Sequence, residues 1–260
     1  MMDWKRLLSH ARTRDSKGGA TGHRSAFDQD FDRIIFSHPF RKLQDKTQVH
    51  PLPEEDFVHT RLTHSLEVGS VGRSLGRNAG KVILERHPSL ASDYSAVDFG
   101  AIVAAASLAH DIGNPPFGHT GEVAISGFFR DQPSGNAYRG RVTELQWKDL
   151  TTFEGNAQGF RIISQGQYGL RLTAAMRGAF MKYPCPSIHD REPGRKSQKK
   201  YGYFQSEREA FEMLVTELGL DALSSGCHFR HPLTFLVEAA DDICYSVIDL
   251  EDGCRLGLIS

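Results

Sequence analysis

The chain has 260 residues, enough for one sizeable hydrophobic core. Its 31 lysines and arginines nearly balance its 32 aspartates and glutamates, so no overall basic field indicates a nucleic-acid partner. No stretch approaches the roughly 18 apolar residues of a membrane span, and the four cysteines follow no disulfide-scaffold spacing. The composition therefore predicts a protein of a reducing cytoplasm, without a membrane partner.

Apolar residues recur at helical spacing through most of the chain, and no useful length alternates with a period of two residues. Residues 1–25 are basic and glycine-rich, which predicts a flexible arm, and residues 26–260 predict one helical domain. Its expected helices lie, in chain order, at 27–43 with a kink near Pro39 and a short continuation to 47, then at 60–85, 96–108, 122–129, 153–163, 172–181, 207–218 and 232–250. The predicted fold class is all-α, with loops at 51–56 and 131–138.

Two of these predicted helices have distinctive surfaces. The helix at 60–85 carries Gly69, Gly72 and Gly76, small residues that let another helix approach closely. The helix at 96–108 is almost wholly apolar and small, which predicts a buried central helix. This second helix leads directly into the most distinctive sequence of the chain.

That sequence is His110-Asp111, followed at once by a break rich in glycine and proline. A helix that ends at such a break can present both side chains to a cavity. An imidazole and a carboxylate together suit a borderline divalent ion such as Mn, Co, Ni or Zn better than the all-oxygen sites of calcium. Because two ligands do not complete a site, further ligands must come from elsewhere.

Candidate ligands occur on both sides of this pair. His64 lies near the start of the helix at 60–85, and Asp241 and Asp242 lie inside the otherwise apolar helix at 232–250. Desolvating an unpaired carboxylate costs several kcal/mol, and a cation shared with the histidines would offset that cost. The residues alone leave the choice between the two aspartates open. The pattern predicts a metal site of two imidazoles and two carboxylates, with positions left for water and substrate.

Several short sequence motifs occur along the chain in the same order as in one protein family. The succession of a histidine, a His-Asp pair and a later aspartate resembles the HD-domain phosphohydrolases. Within these, the words RLTHS at 61–65, HDIGNPPFGH at 110–119, FEGNAQ at 153–158 and YGYFQSE at 201–207 resemble the deoxyguanosine triphosphate triphosphohydrolase family. The resemblance spans about residues 27–251 and implies a helical HD-domain bundle around a single divalent ion.

The resemblance also implies a role for each matching position. The family's metal-binding aspartate lies four residues before a tyrosine and eight before another aspartate, which selects Asp241. The implied metal ligands are His64, His110, Asp111 and Asp241. The first expectation for the ion is Mn or Mg, with Co, Ni or Zn as alternatives.

His119 and Glu122 match the family's catalytic histidine and its carboxylate partner. A histidine titrates near neutrality and a neighbouring carboxylate fixes its tautomer, so the pair suits proton transfer. Whether His119 acts as acid or base stays open. The family's sugar-reading residues match Gln48, Tyr245 and Asp249, and Arg61 is the expected phosphate ligand within the motif.

A run of basic residues between positions 182 and 208 has two interpretations. Such a run is either a solvated loop or a phosphate-binding surface, and composition does not decide between them. As a phosphate-binding surface, it offers Lys182, Tyr183 and Lys200 as additional candidates.

The reaction implied by the resemblance is hydrolysis of a dNTP, with dGTP favoured, at the α-phosphorus to release deoxynucleoside and triphosphate. Two alternatives are an HD-domain nucleotidase or phosphodiesterase acting on other nucleotides, and a catalytically silent module that senses dNTPs. The family further implies a homo-oligomer and, in some members, a response to single-stranded DNA or dNTP effectors. It also implies a C-terminal helical part that the 260 residues lack, so the sequence predicts a shortened chain.

Overall fold

The computed structural model describes residues 2–12, 24–48, 59–223, 226–255 and 257. Regular structure in these ranges consists of α-helices and short 3-10 turns, which confirms the predicted all-α class for the part of the chain described. The α-helices are α1 (Trp4–Leu7), α2 (Ala26–Ile35), α3 (His38–Arg41), α4 (Arg61–Arg86), α5 (Ala96–Ala109), α6 (His119–Asp131), α7 (Pro133–Asn136), α8 (Glu144–Thr151), α9 (Gly155–Ser164), α10 (Ala174–Phe180), α11 (Arg208–Leu218) and α12 (Thr234–Arg255).

Three elements differ from the sequence prediction. Helix α7 lies in the segment expected to be a loop, with proline at its first position, where a missing N–H costs nothing. Helix α8 was not predicted; it begins at a capping box formed by Thr143 and Gln146. Helix α6 begins at His119, three residues before its expected start, because Phe117 (φ 62°) and Gly118 (φ 53°) turn the chain there.

Helix α5 is the centre of the bundle, and α2, α4, α10 and α12 all pack against it. Every residue of α5 from Phe99 to Ala109 is buried, as the sequence predicted. The approach of α4 is unusually close: a Cβ added at Gly76 would lie 2.7 Å from the backbone oxygen of Phe99, and one at Gly72 would lie 2.5 Å from Ser107 Oγ. Glycine is therefore required where these two helices meet.

The N-terminal segment described by the structure is part of the body. Within the predicted arm 1–25, residues 2–12 pack onto the helices, and Leu7 and Leu8 are fully buried. Arg12 pairs with the buried Asp30 at 2.6 Å, and burial raises the pKa of Asp30 despite this cation. The remainder of that arm, at 13–23, and the predicted loop at 51–56 lie outside the described residues.

Two of the four cysteines form a disulfide that their spacing in the sequence does not indicate. Cys185 and Cys227 are joined as a disulfide across 42 residues, while Cys244 and Cys254 are free thiols. Spacing carried no signal for this pair because the fold, and not the local sequence, brings the two segments together. Among the described helices, none combines the length and the apolar character needed to cross a bilayer.

Candidate active site

Three helices bring four of the predicted metal ligands together. His64 lies in the first turn of α4, His110 and Asp111 follow the end of α5, and Asp241 lies in α12. One oxygen of Asp241 is 3.1 Å from His64 Nε2 and 3.5 Å from His110 Nε2. The second carboxylate, Asp111, is 3.6 Å from His110 Nε2. Two imidazoles and two carboxylates thus converge on one point.

The chemistry of this donor set fits a divalent metal ion. His110 Nδ1 lies 2.7 Å from the carbonyl oxygen of Ser107, so Nδ1 donates a hydrogen and the lone pair of Nε2 is directed into the cluster. His64 is only 1% exposed, and its Nε2 also faces the cluster. Asp242, the alternative aspartate, is exposed on α12. The geometry therefore brings Asp241, and not Asp242, to the histidines.

The two carboxylates of the cluster are held in the ionised form. Burial of Asp111 opposes ionisation, yet its electrostatic interactions with His110 and with the guanidinium of Arg61 hold the pKa of Asp111 below its usual range. The same balance holds for Asp241, where burial is outweighed by His110 and His64 and the pKa is again lowered. Ionised carboxylates in a buried cluster are the form that coordinates a cation.

Arg61 and Asn114 fix the orientation of Asp111. Arg61 donates to one oxygen of Asp111, and Asn114 Nδ2 lies 2.5 Å from the other. Lys46 Nζ in turn lies 2.5 Å from the Asn114 carbonyl oxygen. The sequence predicts Arg61 as a phosphate ligand; in the structure its guanidinium contacts Asp111, a predicted metal ligand. The sequence did not predict a role for Asn114, although it lies within the motif at 110–119.

A second cluster contains the predicted catalytic pair. His119 Nδ1 lies 2.7 Å from one oxygen of Glu122, and the other oxygen accepts from the backbone N–H of Gly155 at 2.7 Å. The side chain of His119 is 82% exposed, whereas that of Glu122 is only 10% exposed. A buried carboxylate with both oxygens engaged therefore holds an accessible imidazole in one orientation.

Both clusters line one open cavity with a volume of about 720 Å³, within the range of small-molecule sites. Eleven of the thirteen predicted site residues lie on its wall: Gln48, Arg61, His110, Asp111, His119, Glu122, Lys182, Tyr183, Lys200, Asp241 and Tyr245. His64 lies behind this wall, in contact with Asp241. The side chain of Asp249 lies outside the described residues.

Two lysines of the cavity wall, Lys182 and Lys200, are paired with glutamates. Lys200 Nζ lies 3.0 Å from Glu154 Oε1 and 3.8 Å from Glu122 Oε2. Lys182 Nζ lies 3.4 Å from Glu238 Oε1, and the other oxygen of Glu238 pairs with Arg230 at 2.6 Å. The sequence prediction missed Glu154, Glu238 and Arg230; the two glutamates pair with lysines from distant segments, which local sequence does not indicate.

Comparison with known proteins agrees with this geometry. A family model for the HD domain matches residues 61–142, which contain three of the four clustered ligands. The chain is 47% identical over 269 residues to a deoxyguanosinetriphosphate triphosphohydrolase-like protein of Pseudomonas aeruginosa, and 47% identical over 274 residues to one of Synechocystis sp.. It is 38% identical over 282 residues to a deoxyguanosinetriphosphate triphosphohydrolase of Enterobacter sp..

These matches cover 99%, 99% and 96% of the chain. The chain therefore contains an HD domain. Along nearly its whole length it is similar to the deoxyguanosinetriphosphate triphosphohydrolase-like proteins. It spans 58%, 61% and 55% of the length of the three relatives, respectively.

Proposed function

We propose that the protein is a metal-dependent dNTP triphosphohydrolase that converts dGTP and water into deoxyguanosine and triphosphate. The observation that carries this proposal is the convergence of three groups on one cavity: the His and Asp cluster, the His119 and Glu122 pair, and a lysine wall formed by Lys182 and Lys200. A triphosphate ester needs all three, since it carries several negative charges and its cleavage at the α-phosphorus requires proton transfer.

In this proposal His64, His110, Asp111 and Asp241 hold the divalent ion, with Mn or Mg as the first expectation. The bound ion supplies polarisation of phosphoryl oxygen or activation of water. His119 moves a proton on the exposed side of the cluster, and Glu122 keeps its Nδ1 protonated so that Nε2 faces the cavity. Arg61, through its contact with Asp111, orients one of the ligands.

The lysine wall supports the choice of a triphosphate over a monophosphate. Lys182 and Lys200 both line the cavity, and Tyr183 lies beside Lys182 with the ammonium 5.9 Å from its ring centre. A nucleotidase acting on monophosphates needs no such extended cationic surface.

We assign binding of the deoxyribose to Gln48, Tyr245 and Asp249. Gln48 supports this assignment, because its buried side-chain oxygen has no hydrogen-bond partner among the described residues.

The remaining parts of the proposal concern the whole protein. We propose a cytoplasmic homo-oligomer. The family resemblance further implies that it responds to single-stranded DNA or to dNTP effectors. The near-neutral net charge of -1 adds no support for DNA binding.

The test is to incubate the purified protein with each dNTP and with GTP in Mn or Mg and to separate products by ion-exchange chromatography. We expect triphosphate plus deoxynucleoside, lost in His110→Ala, with dGTP consumed fastest. Release of orthophosphate would instead identify another HD-domain phosphohydrolase. Binding of dGTP without turnover in saturating Mn would identify a sensing module and contradict the proposal.

A further inference from the structure

A separate group of reactive side chains lies away from the His and Asp cluster and from the His119 and Glu122 pair. It consists of Cys185, Cys227 and His189, and one potential ligand atom of each lies within 4.8 Å of the others. Both cysteines are fully buried, and the structure joins them as a disulfide. The proposed hydrolysis uses none of these residues, so the cluster needs its own explanation.

A metal site is the first alternative, and the position of His189 disfavours it. His189 Nδ1 lies 2.7 Å from the carbonyl oxygen of Pro186, and Nε2 lies 2.9 Å from that of Gln198. A carbonyl oxygen only accepts hydrogen bonds, so both ring nitrogens face backbone acceptors. A metal ion at the cysteines would have to displace one of these two contacts. The imidazole instead closes the loop at 186–198 beside the two sulfurs.

The disulfide lies directly behind the basic wall of the cavity. Cys185 follows Lys182 and Tyr183 by three and two residues, and both of those line the cavity. On its other side, the Gly202 N–H donates to the Cys185 carbonyl oxygen at 3.0 Å, two residues after Lys200. The lysines of the wall and the disulfide thus belong to the same pair of adjacent segments.

The segment that carries Cys227 is hydrogen-bonded to the same wall. The His228 N–H donates to the Pro184 carbonyl oxygen at 2.9 Å, and Arg230 Nε donates to the Lys182 carbonyl oxygen at 2.7 Å. Arg230 also holds Glu238, the partner of Lys182. The disulfide is therefore the covalent member of a set of contacts that hold the backbone of Lys182 in place.

We propose that Cys185 and Cys227 are a reversible thiol-disulfide pair, whose oxidised form holds the Lys182 and Tyr183 wall in the arrangement that binds the substrate phosphates. The inference rests on the proposed function for the identity of that substrate. The oxidant is a small disulfide of the glutathione type. One cysteine thiolate attacks it, forms a mixed disulfide and releases one small thiol; the second thiolate then displaces the other small thiol. Both cysteine protons end on the small thiols.

The test uses the full chain in a Cys244→Ala/Cys254→Ser background, so that only Cys185 and Cys227 can react. Free thiols are counted in denaturant after equilibration with reduced or oxidised glutathione, and the linked peptide is identified by mass spectrometry. We expect two thiols in the reduced state and none in the oxidised state. The oxidised form should unfold roughly 5–15 °C higher, because a disulfide restricts the unfolded chain.

The functional readout is the KM for dGTP in each redox state. Reduction should raise KM several-fold and change kcat less, since the pair acts on the binding wall and not on His119. A Cys185→Ser/Cys227→Ser variant in the same background is the matched control and should match the reduced form in any buffer. Inorganic triphosphate with Mn should shift the thiol-disulfide equilibrium in glutathione buffers toward the disulfide, because the coupling between the two equilibria is reciprocal.

Three results would overturn the proposal: thiols that stay unpaired at every glutathione ratio, a disulfide whose reduction leaves KM unchanged, and stoichiometric zinc binding by the reduced protein. The last result would assign the cluster to a metal instead. Failure of the proposed function is a separate result, namely no turnover in either redox state. Thiol counts and unfolding temperatures are measured without turnover, so they distinguish the two failures.

Discussion

His119 combines an exposed ring with a buried anchor, and this combination separates its role in catalysis from any role in folding. Its side chain contacts Glu122, whose two oxygens are used by His119 and by the Gly155 N–H. A residue on the cavity surface contributes little to packing, whereas the carboxylate beneath it connects two helices. Substitutions at the two positions should therefore differ in their effects.

We expect His119→Ala to lower kcat by about 10²–10⁴, the usual contribution of a positioned proton-transfer group. Its free energy of unfolding should change by less than about 0.5 kcal/mol, as for other exposed positions. Steady-state kinetics and urea unfolding measure the two quantities. The exposed His87, changed to Ala, is the matched control and should leave both unchanged. A fully active His119→Ala enzyme would remove this residue from the mechanism.

His231 predicts a pH-dependent stability that is independent of the active site. It is completely buried between the Leu7 carbonyl oxygen and the Leu233 N–H, and burial lowers its pKa from 6.5 to about 4. Below pH 6.5 the unfolded chain binds a proton here and the folded chain does not, so stability falls as the pH decreases toward 4. Lowering the pH from 6.5 to about 4 should decrease the free energy of unfolding by about 3 kcal/mol.

The measurement is urea unfolding of the protein and of His231→Gln at pH 7, 6 and 5. The stability difference between the two proteins should shrink as the pH falls. Comparing them at each pH cancels the contribution of His59, whose pKa is raised because hydrogen bonds and charges from Asp252 and Glu67 outweigh its burial. A difference that stays constant with pH would contradict the assignment.

At the scale of elements, the close contact of α4 with α5 depends on glycine. We expect Gly76→Ala to destabilise the fold by about 1–3 kcal/mol, because the added Cβ meets backbone atoms of α5 that have no freedom to move aside. Gly127→Ala in α6 is the matched control, since its Cβ would have no neighbour closer than 3.5 Å. The control should be stabilised by up to about 1 kcal/mol through helix propensity. Thermal or urea unfolding distinguishes the two outcomes.

The elements that the sequence predicted well are those with a continuous apolar signal. Helix α5 is apolar and buried, and α4 carries glycines at helical spacing, so both follow from composition and period. Helix α8 was missed because it is short and mostly polar, with Asp149 as its one buried residue. Its capping box at Thr143 and Gln146 was the available signal.

The candidate site could be predicted as a set of residues but not as a set of contacts. Sequence motifs identified His64, His110, Asp111 and Asp241 as one set of candidate metal ligands, and the fold brings their side chains together. The pairing of Lys200 with Glu154 and the disulfide of Cys185 join segments more than 40 residues apart. Such contacts depend on how loops cross the surface, for which neither periodicity nor a local motif carries information.

At the scale of the whole molecule, the cluster of His64, His110, Asp111 and Asp241 connects three helices that are far apart in the sequence. An ion that binds this cluster binds the folded state and not the unfolded chain, so it should raise stability. At one hundred times the dissociation constant the gain is about 2.7 kcal/mol, or roughly 5–10 °C in the unfolding midpoint for a chain of this size.

Unfolding is followed by calorimetry after removal of metal with EDTA and after addition of Mn or Mg. Asp241→Asn should abolish the increase, whereas Asp242→Asn, which changes an exposed neighbour on the same helix, should retain it. An equal response in both variants would place the ion elsewhere.

The lysines of the cavity wall are paired with glutamates, and this has a consequence for turnover. A polyanion that reaches Lys182 or Lys200 exchanges places with Glu238 or Glu154, and the glutamate returns when the polyanion leaves. Departure therefore leaves no ammonium group without a partner. Under the proposed reaction, this exchange lowers the free-energy barrier to product escape, and free triphosphate should be a weak inhibitor.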